Sequence, residues 1–166
     1  MITLIGIGVV VLQLAILTAV FIALFYPTAL RAIAPAMSVV LRIVLTGAVL
    51  GSLFFSEIKG FEPCLLCWWQ RIFIFGATLL VWTGDIRKSR FLRTQVLVFA
   101  LIGIGFALLH NAIDIFPTGL DVCGTGVSCL KRYTDVFGYI TIPMMSLTVL
   151  GATLVGTLIA KRYPQE

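Results

Sequence analysis

Five stretches of this chain, residues 1–26, 37–56, 63–83, 91–113 and 137–160, are almost without charge and run to bilayer length. A hydrocarbon core of about 30 Å takes roughly 20 helical residues to cross. Inside lipid the backbone must satisfy its own hydrogen bonds, which leaves helices or closed barrels. Barrel strands would show as short segments alternating apolar and polar residues, and none is visible. With 60% hydrophobic and 11% charged residues among 166, a soluble globular domain is excluded. The fold class expected is an all-α membrane protein, one helical bundle with every long run crossing. Gly47, Gly51 and Ser52 lie within these runs, as small residues that let membrane helices approach closely.

The first run has a rival reading as a secretory signal, because Ala34-Pro35-Ala36 has the small residues of a cleavage site. A signal carries a charged n-region and a short apolar core. Residues 1–26 have no charge and are long enough to span, so a retained helix is expected.

Basic residues orient the bundle. Arg87, Lys88, Arg90 and Arg93 fall in one inter-helix loop, Lys161 and Arg162 at the C-terminal end, and Arg31 between the first two runs. Arg42, one turn into its run, can snorkel to the same side. Lys59, Lys131 and Arg132 fall on the other side, with Arg71 at the boundary. The positive-inside rule then places the basic side in the cytoplasm. The net charge of +5 reports topology in this reading, not a nucleic-acid patch.

All four cysteines fall on the outer side, where disulfides persist. Cys64-Leu-Leu-Cys67 opens the third run behind Pro63 and is followed by Trp68, Trp69, Gln70 and Arg71; Cys123 and Cys129 flank Gly-Thr-Gly-Val-Ser in the loop before the last run. In a first helical turn the unsatisfied N–H groups and the positive dipole end favour a thiolate. Such a thiol exchanges readily. Arg71 lies one helical turn beyond Cys67, where a permanent cation stabilises a thiolate or a developing anion. Cys123 and Cys129 enclose a glycine-rich loop short enough to close a disulfide. A staple over so few residues removes little chain entropy, which favours exchange. His110, the only histidine, ends the fourth run and is a candidate by being ionisable at a membrane edge.

Blander readings stand beside each of these. The cysteines can be two structural disulfides or a zinc site, although the Cys123–Cys129 spacing exceeds the usual knuckle. Arg71 can snorkel to headgroups, Trp68 and Trp69 can belong to an interfacial belt, and His110 can be a hydrogen-bonded bystander.

The run Glu62-Pro-Cys64-Leu-Leu-Cys67-Trp-Trp-Gln-Arg71, His110, the second cysteine pair and Phe137-Gly-Tyr-Ile-Thr-Ile-Pro143 together resemble the disulfide bond formation protein B (DsbB) family. The resemblance is greatest to its shorter branch in bacteria such as bacilli, and it covers residues 37–160. It implies a four-transmembrane-helix core over residues 37–166, preceded by an additional N-terminal transmembrane helix and short inner loop over residues 1–36. It also implies an enzyme of the bacterial plasma membrane that reoxidises a soluble, DsbA-like thioredoxin-fold thiol oxidase and passes the electrons to membrane quinone, ubiquinone or menaquinone. Cys123 and Cys129 then correspond to the shuttle disulfide that meets the partner. Cys64 and Cys67 correspond to the pair beside the quinone, Arg71 to the arginine at its head group, and His110 to a histidine near it.

The chain departs from the longer branch in the close spacing of Cys123 and Cys129 and in the helix over residues 1–26. Vitamin K epoxide reductase-like proteins are the nearest rival enzymes. Their shuttle pair precedes the Cys-x-x-Cys, whereas here it follows.

Overall fold

The computed structural model describes residues 2–116 and 133–163; Cys123 and Cys129 lie outside the described residues. Its helices are α1 (Ile2–Phe25), α2 (Pro27–Ile33), α3 (Met37–Leu53), α4 (Leu65–Thr83), α5 (Arg90–Ile115) and α6 (Ile142–Arg162). Five helical segments are long and apolar enough to cross a membrane: Ile2–Phe25, Leu30–Ile58, Leu65–Thr83, Arg90–Ile115 and Ile142–Arg162. The all-α membrane architecture expected from the apolar runs is the one observed. Among the described residues, β pairing is limited to an isolated bridge between Val136 and Ile140.

The segment boundaries have local causes. Tyr26 leaves the helical region (φ −134°, ψ 63°) because Pro27 follows it. Helix resumes at once, so Arg31 stands within a helix and not in a loop. Pro35 sits in a single 3-10 turn, Ala34–Ala36, that joins α2 to α3 without a break. α3 loosens into a π turn, Phe54–Ile58, and Gly60 (φ +64°) then turns the chain toward Cys64. The last run was expected from Phe137, but α6 begins at Ile142. Phe137 (φ 58°) and Gly138 (φ 78°) make a left-handed tight turn, closed by paired hydrogen bonds between Val136 and Ile140, and Pro143 then sits in the first turn of the helix.

α4, α5 and α6 pack in sequence, and α3 closes the bundle against α4 and α6. Glycines set the seams. A Cβ on Gly76 would lie 2.2 Å from the Phe99 ring, one on Gly103 2.9 Å from Leu150, and one on Gly156 3.0 Å from Leu41. Gly47 and Gly51 do not serve this purpose, since a Cβ on either would meet nothing within 4 Å. The expectation of close approach there is therefore corrected: both face open space.

The basic end is tied by polar contacts. Arg42 donates to the carbonyls of Val81 (2.8 Å) and Gly84 (3.0 Å), so it reaches the end that carries the Arg87 loop. Asp85 Oδ1 accepts from the Ser38 hydroxyl at 2.5 Å and from the Arg87 amide N–H at 2.8 Å. Burial opposes ionisation of Asp85, but these two donors, together with the charges of Arg87 and Lys88, hold the carboxyl below its usual range. Arg87 Nε donates to the Tyr163 carbonyl at 3.2 Å, joining the α4–α5 turn to the end of α6.

α1 lies outside this bundle along α6. Its one amide side chain, Gln13, donates to Thr148 Oγ1 (3.0 Å) and accepts from the Tyr139 hydroxyl (3.1 Å). Gly6 lets Val136 approach so closely that a Cβ there would lie 2.7 Å from it.

Candidate functional site

Cys64 is the N-cap of α4, in extended conformation (φ −69°, ψ 170°), and its carbonyl accepts the first helical bond from the Trp68 amide at 3.0 Å. Cys67 therefore falls in the opening turn, where backbone N–H groups lack intrahelical acceptors. The two thiols are free and in contact, Sγ to Sγ 3.1 Å. Cys64 is buried and Cys67 partly exposed.

His110, one turn short of the end of α5, packs onto this pair. Its Nε2 lies 3.9 Å from Cys64 Sγ and its Nδ1 3.9 Å from Cys67 Sγ. Gln70, one turn along α4, places its amide nitrogen 3.1 Å from His110 Nδ1. This contact holds the ring with one imidazole nitrogen toward each sulfur. Both side chains are buried among helices, at 2% and 1% exposure.

Arg71 follows Cys67 by one turn and is held by α3. Its Nε donates to Ser52 Oγ and an Nη to the Ser52 carbonyl, each at 2.7 Å, and the guanidinium lies over the Trp68 ring at 5.5 Å. Ser52 thus anchors the cation. Trp69 stacks on Phe106 of α5, 5.3 Å between centroids, so the tandem tryptophans have separate tasks.

Cys64, Cys67, Arg71 and His110 all line one cavity of about 600 Å³. Beyond this polar end its walls are apolar, with Gly47, Gly51, Phe55 and Met145 among the lining residues. The structure brings together four of the six residues singled out from the sequence; Cys123 and Cys129 fall outside the described residues. Tyr133, where the described chain resumes, stacks its ring on Phe61 at 4.7 Å, close in sequence to Cys64. Gln70 and Ser52 were not assigned to the site from sequence. The available signal for Gln70 was an amide inside a bilayer-length helix, which must find a polar partner there.

A bound quinone fits the residues present: an uncharged ring wants a donor at its oxygens and a polyprenyl tail wants an apolar channel. Arg71 supplies the first and the cavity walls the second. A Cβ on Gly47 or Gly51 would project into open space.

Comparison with known proteins agrees with the resemblance. The sequence model of the family described as Disulfide bond formation protein DsbB matches residues 34–161. The chain is 36% identical to the probable disulfide formation protein C of Halalkalibacterium halodurans over 118 residues, covering 69% of this chain and 85% of that one. It is 38% identical to the disulfide bond formation protein C of Bacillus subtilis over 102 residues, 60% of this chain and 74% of that one. A probable disulfide formation protein of Chlamydia pneumoniae is 34% identical over 113 residues, 68% and 82% of the two chains. No solved structure matches. The paired thiols at a helix start, the bilayer-length helices around them and the family match spanning α3 to α6 lead to one conclusion: this chain belongs to the DsbB family of membrane oxidoreductases that form disulfide bonds.

Proposed function

We propose that the chain reoxidises an extracytoplasmic thioredoxin-fold thiol oxidase of the DsbA kind and passes the electrons to membrane quinone. The observation that carries the reading is the convergence of Cys64, Cys67, His110 and Arg71 on the polar end of an apolar cavity. The basic end, with Arg42, Arg87 and Arg162, is opposite the cysteine end, and the positive-inside rule supports an extracytoplasmic position for the thiols.

In this scheme a partner thiolate attacks the Cys123–Cys129 disulfide, forming a mixed disulfide and releasing one loop thiolate. The partner's second thiolate resolves it, leaving the partner oxidised and the loop a dithiol. Exchange between that dithiol and a Cys64–Cys67 disulfide restores the loop and reduces the inner pair. Cys64 and Cys67 then close again to a disulfide and give up two electrons and two protons, for which a quinone bound at the cavity's polar end would supply the acceptor chemistry. Cys67 is the sulfur toward it, by its place one turn before Arg71. His110 stands beside both sulfurs as a group able to take up or release a proton there, and Gln70 orients its ring. Arg71 offers a cation that cannot be deprotonated. α4 supplies the dipole end that favours a thiolate.

The test is quinone reduction by membranes carrying the wild type, Cys64→Ser or Cys129→Ser, supplied with a reduced thioredoxin-fold donor. Either substitution abolishes steady turnover. Cys129→Ser still lets Cys64 and Cys67 react with small dithiols; loss of that reaction overturns the assigned roles.

One observation favours a second reading. Ligand atoms of Cys64, Cys67 and His110 all lie within 4.8 Å of one another, a set that suits zinc. Stoichiometric zinc in the purified chain, blocking alkylation of both thiols, would support it over the redox reading.

A further inference from the structure

One wall of the cavity comes from the helix that the family match leaves out. α1 contributes Gly8, Leu12 and Ala15, and α3 faces them across the cavity with Gly47, Ala48 and Gly51. α1 packs along α6 and forms no comparable seam with α3. The Gln13 hydrogen bonds to Thr148 and Tyr139 hold it on that side. Thr18 of α1 bonds back to the Leu14 carbonyl of its own helix, so the Gln13 clamp is the contact that orients the small face of α1 toward α3.

The glycines divide into two groups. Gly76 and Gly103 are filled by neighbours, as a Cβ on either would lie under 3 Å from a side chain. Gly8, Gly47 and Gly51 have nothing within 4 Å of that position and all three line the cavity. Small residues on both walls thus leave width and seat no helix. The slot also opens on the lipid side: Val11 of α1 and Ile43 of α3 both line it, yet are 60% and 67% exposed. It runs from that opening to the thiols.

We propose that α1 and α3 form the two sides of a slot for the isoprenoid tail of the quinone. The tail passes from the membrane between the helices and sets the head group at Cys67 and Arg71. This inference rests on the quinone reading above and adds a tail-binding role for α1. The apolar, uncharged walls suit a hydrocarbon chain, and continuity with the redox-active end commits the occupant to a molecule whose head reacts there.

The experiment uses the full chain in lipid nanodiscs with a quinone analogue bearing a diazirine on its isoprenoid tail. Photolabelled peptides are mapped by mass spectrometry, and KM is measured for a tailed and a tailless quinone. Labelling is expected within residues 5–15 and 43–51. Gly8→Leu with Gly47→Leu, which fills open space, should cut that labelling and raise the ratio of tailed to tailless KM about tenfold. Gly105→Leu is the control, because Gly105 is exposed, has room for a Cβ and does not line the cavity. Labelling on other faces, or an unchanged KM ratio, overturns the slot while reduction of tailless quinone leaves the redox reading standing. Labelling that excess phospholipid abolishes but excess tailed quinone does not makes the slot a lipid groove and also overturns it. If no quinone, tailed or tailless, is reduced or labels the chain, slot and redox reading fall together.

Discussion

Gln70 places its amide nitrogen 3.1 Å from His110 Nδ1, while its Oε1, equally buried, has no hydrogen-bond partner among the described residues. A buried polar atom left unpaired costs about 1–3 kcal/mol. The residue therefore fixes the histidine at a cost in stability. Gln70→Leu removes the unpaired oxygen but also the amide partner of the His110 ring, two effects of similar size and opposite sign, so thermal stability should change little, while quinone reduction slows about tenfold because a misplaced group at a reacting centre costs up to about a hundredfold. Calorimetry in detergent beside a turnover assay checks both halves; full activity in the variant would show that His110 needs no orienting. The neighbouring residues differ in how readable they were. Cys64, Cys67 and Arg71 were found by spacing on one helix, where 3.6-residue geometry needs no tertiary information. His110 stands out in the sequence by its chemistry and by the family resemblance. That its ring meets both sulfurs depends on how α5 rotates against α4, which the Phe73, Phe106 and Trp69 stack sets.

At the scale of helices, the bundle is assembled by glycines that neighbouring side chains fill. Gly103 lies under Leu150 and against Phe73, with less than 3.2 Å to either from an added Cβ. Gly103→Leu should destabilise the chain by about 1–3 kcal/mol through overpacking, whereas Gly105→Leu, two residues away on the lipid face, should be close to neutral. Thermal unfolding of the two variants in the same detergent separates them. Equal stability would mean that the α5–α6 seam is loose. The five apolar runs foretold these helices well, since length and hydropathy suffice where every backbone group must pair internally. The boundaries that moved did so for local reasons: the paired left-handed residues Phe137 and Gly138 delay α6, and a single 3-10 turn lets Pro35 pass without ending a helix. Which glycines seat helices and which keep a cavity open was not readable, because both kinds occupy similar apolar contexts in the chain.

Across the whole molecule, two ends with different chemistry are separated by apolar helices. One end holds Arg42, Asp85, Arg87 and the close of α6 in a hydrogen-bonded mesh. The other holds two thiols, an imidazole and a guanidinium at the head of a cavity that reaches the lipid face. Such a division fits the proposed function, in which electrons arrive from outside the membrane and leave within it. The most direct measurement uses the full chain carrying Cys123→Ser and Cys129→Ser, so that Cys64 and Cys67 are its only thiols. The protein is reduced, freed of reductant, mixed anaerobically with quinone and counted for free thiols as quinol appears. Both thiols are expected to disappear together as one quinol forms per chain. Thiols that persist while quinone stays oxidised would contradict the proposed function.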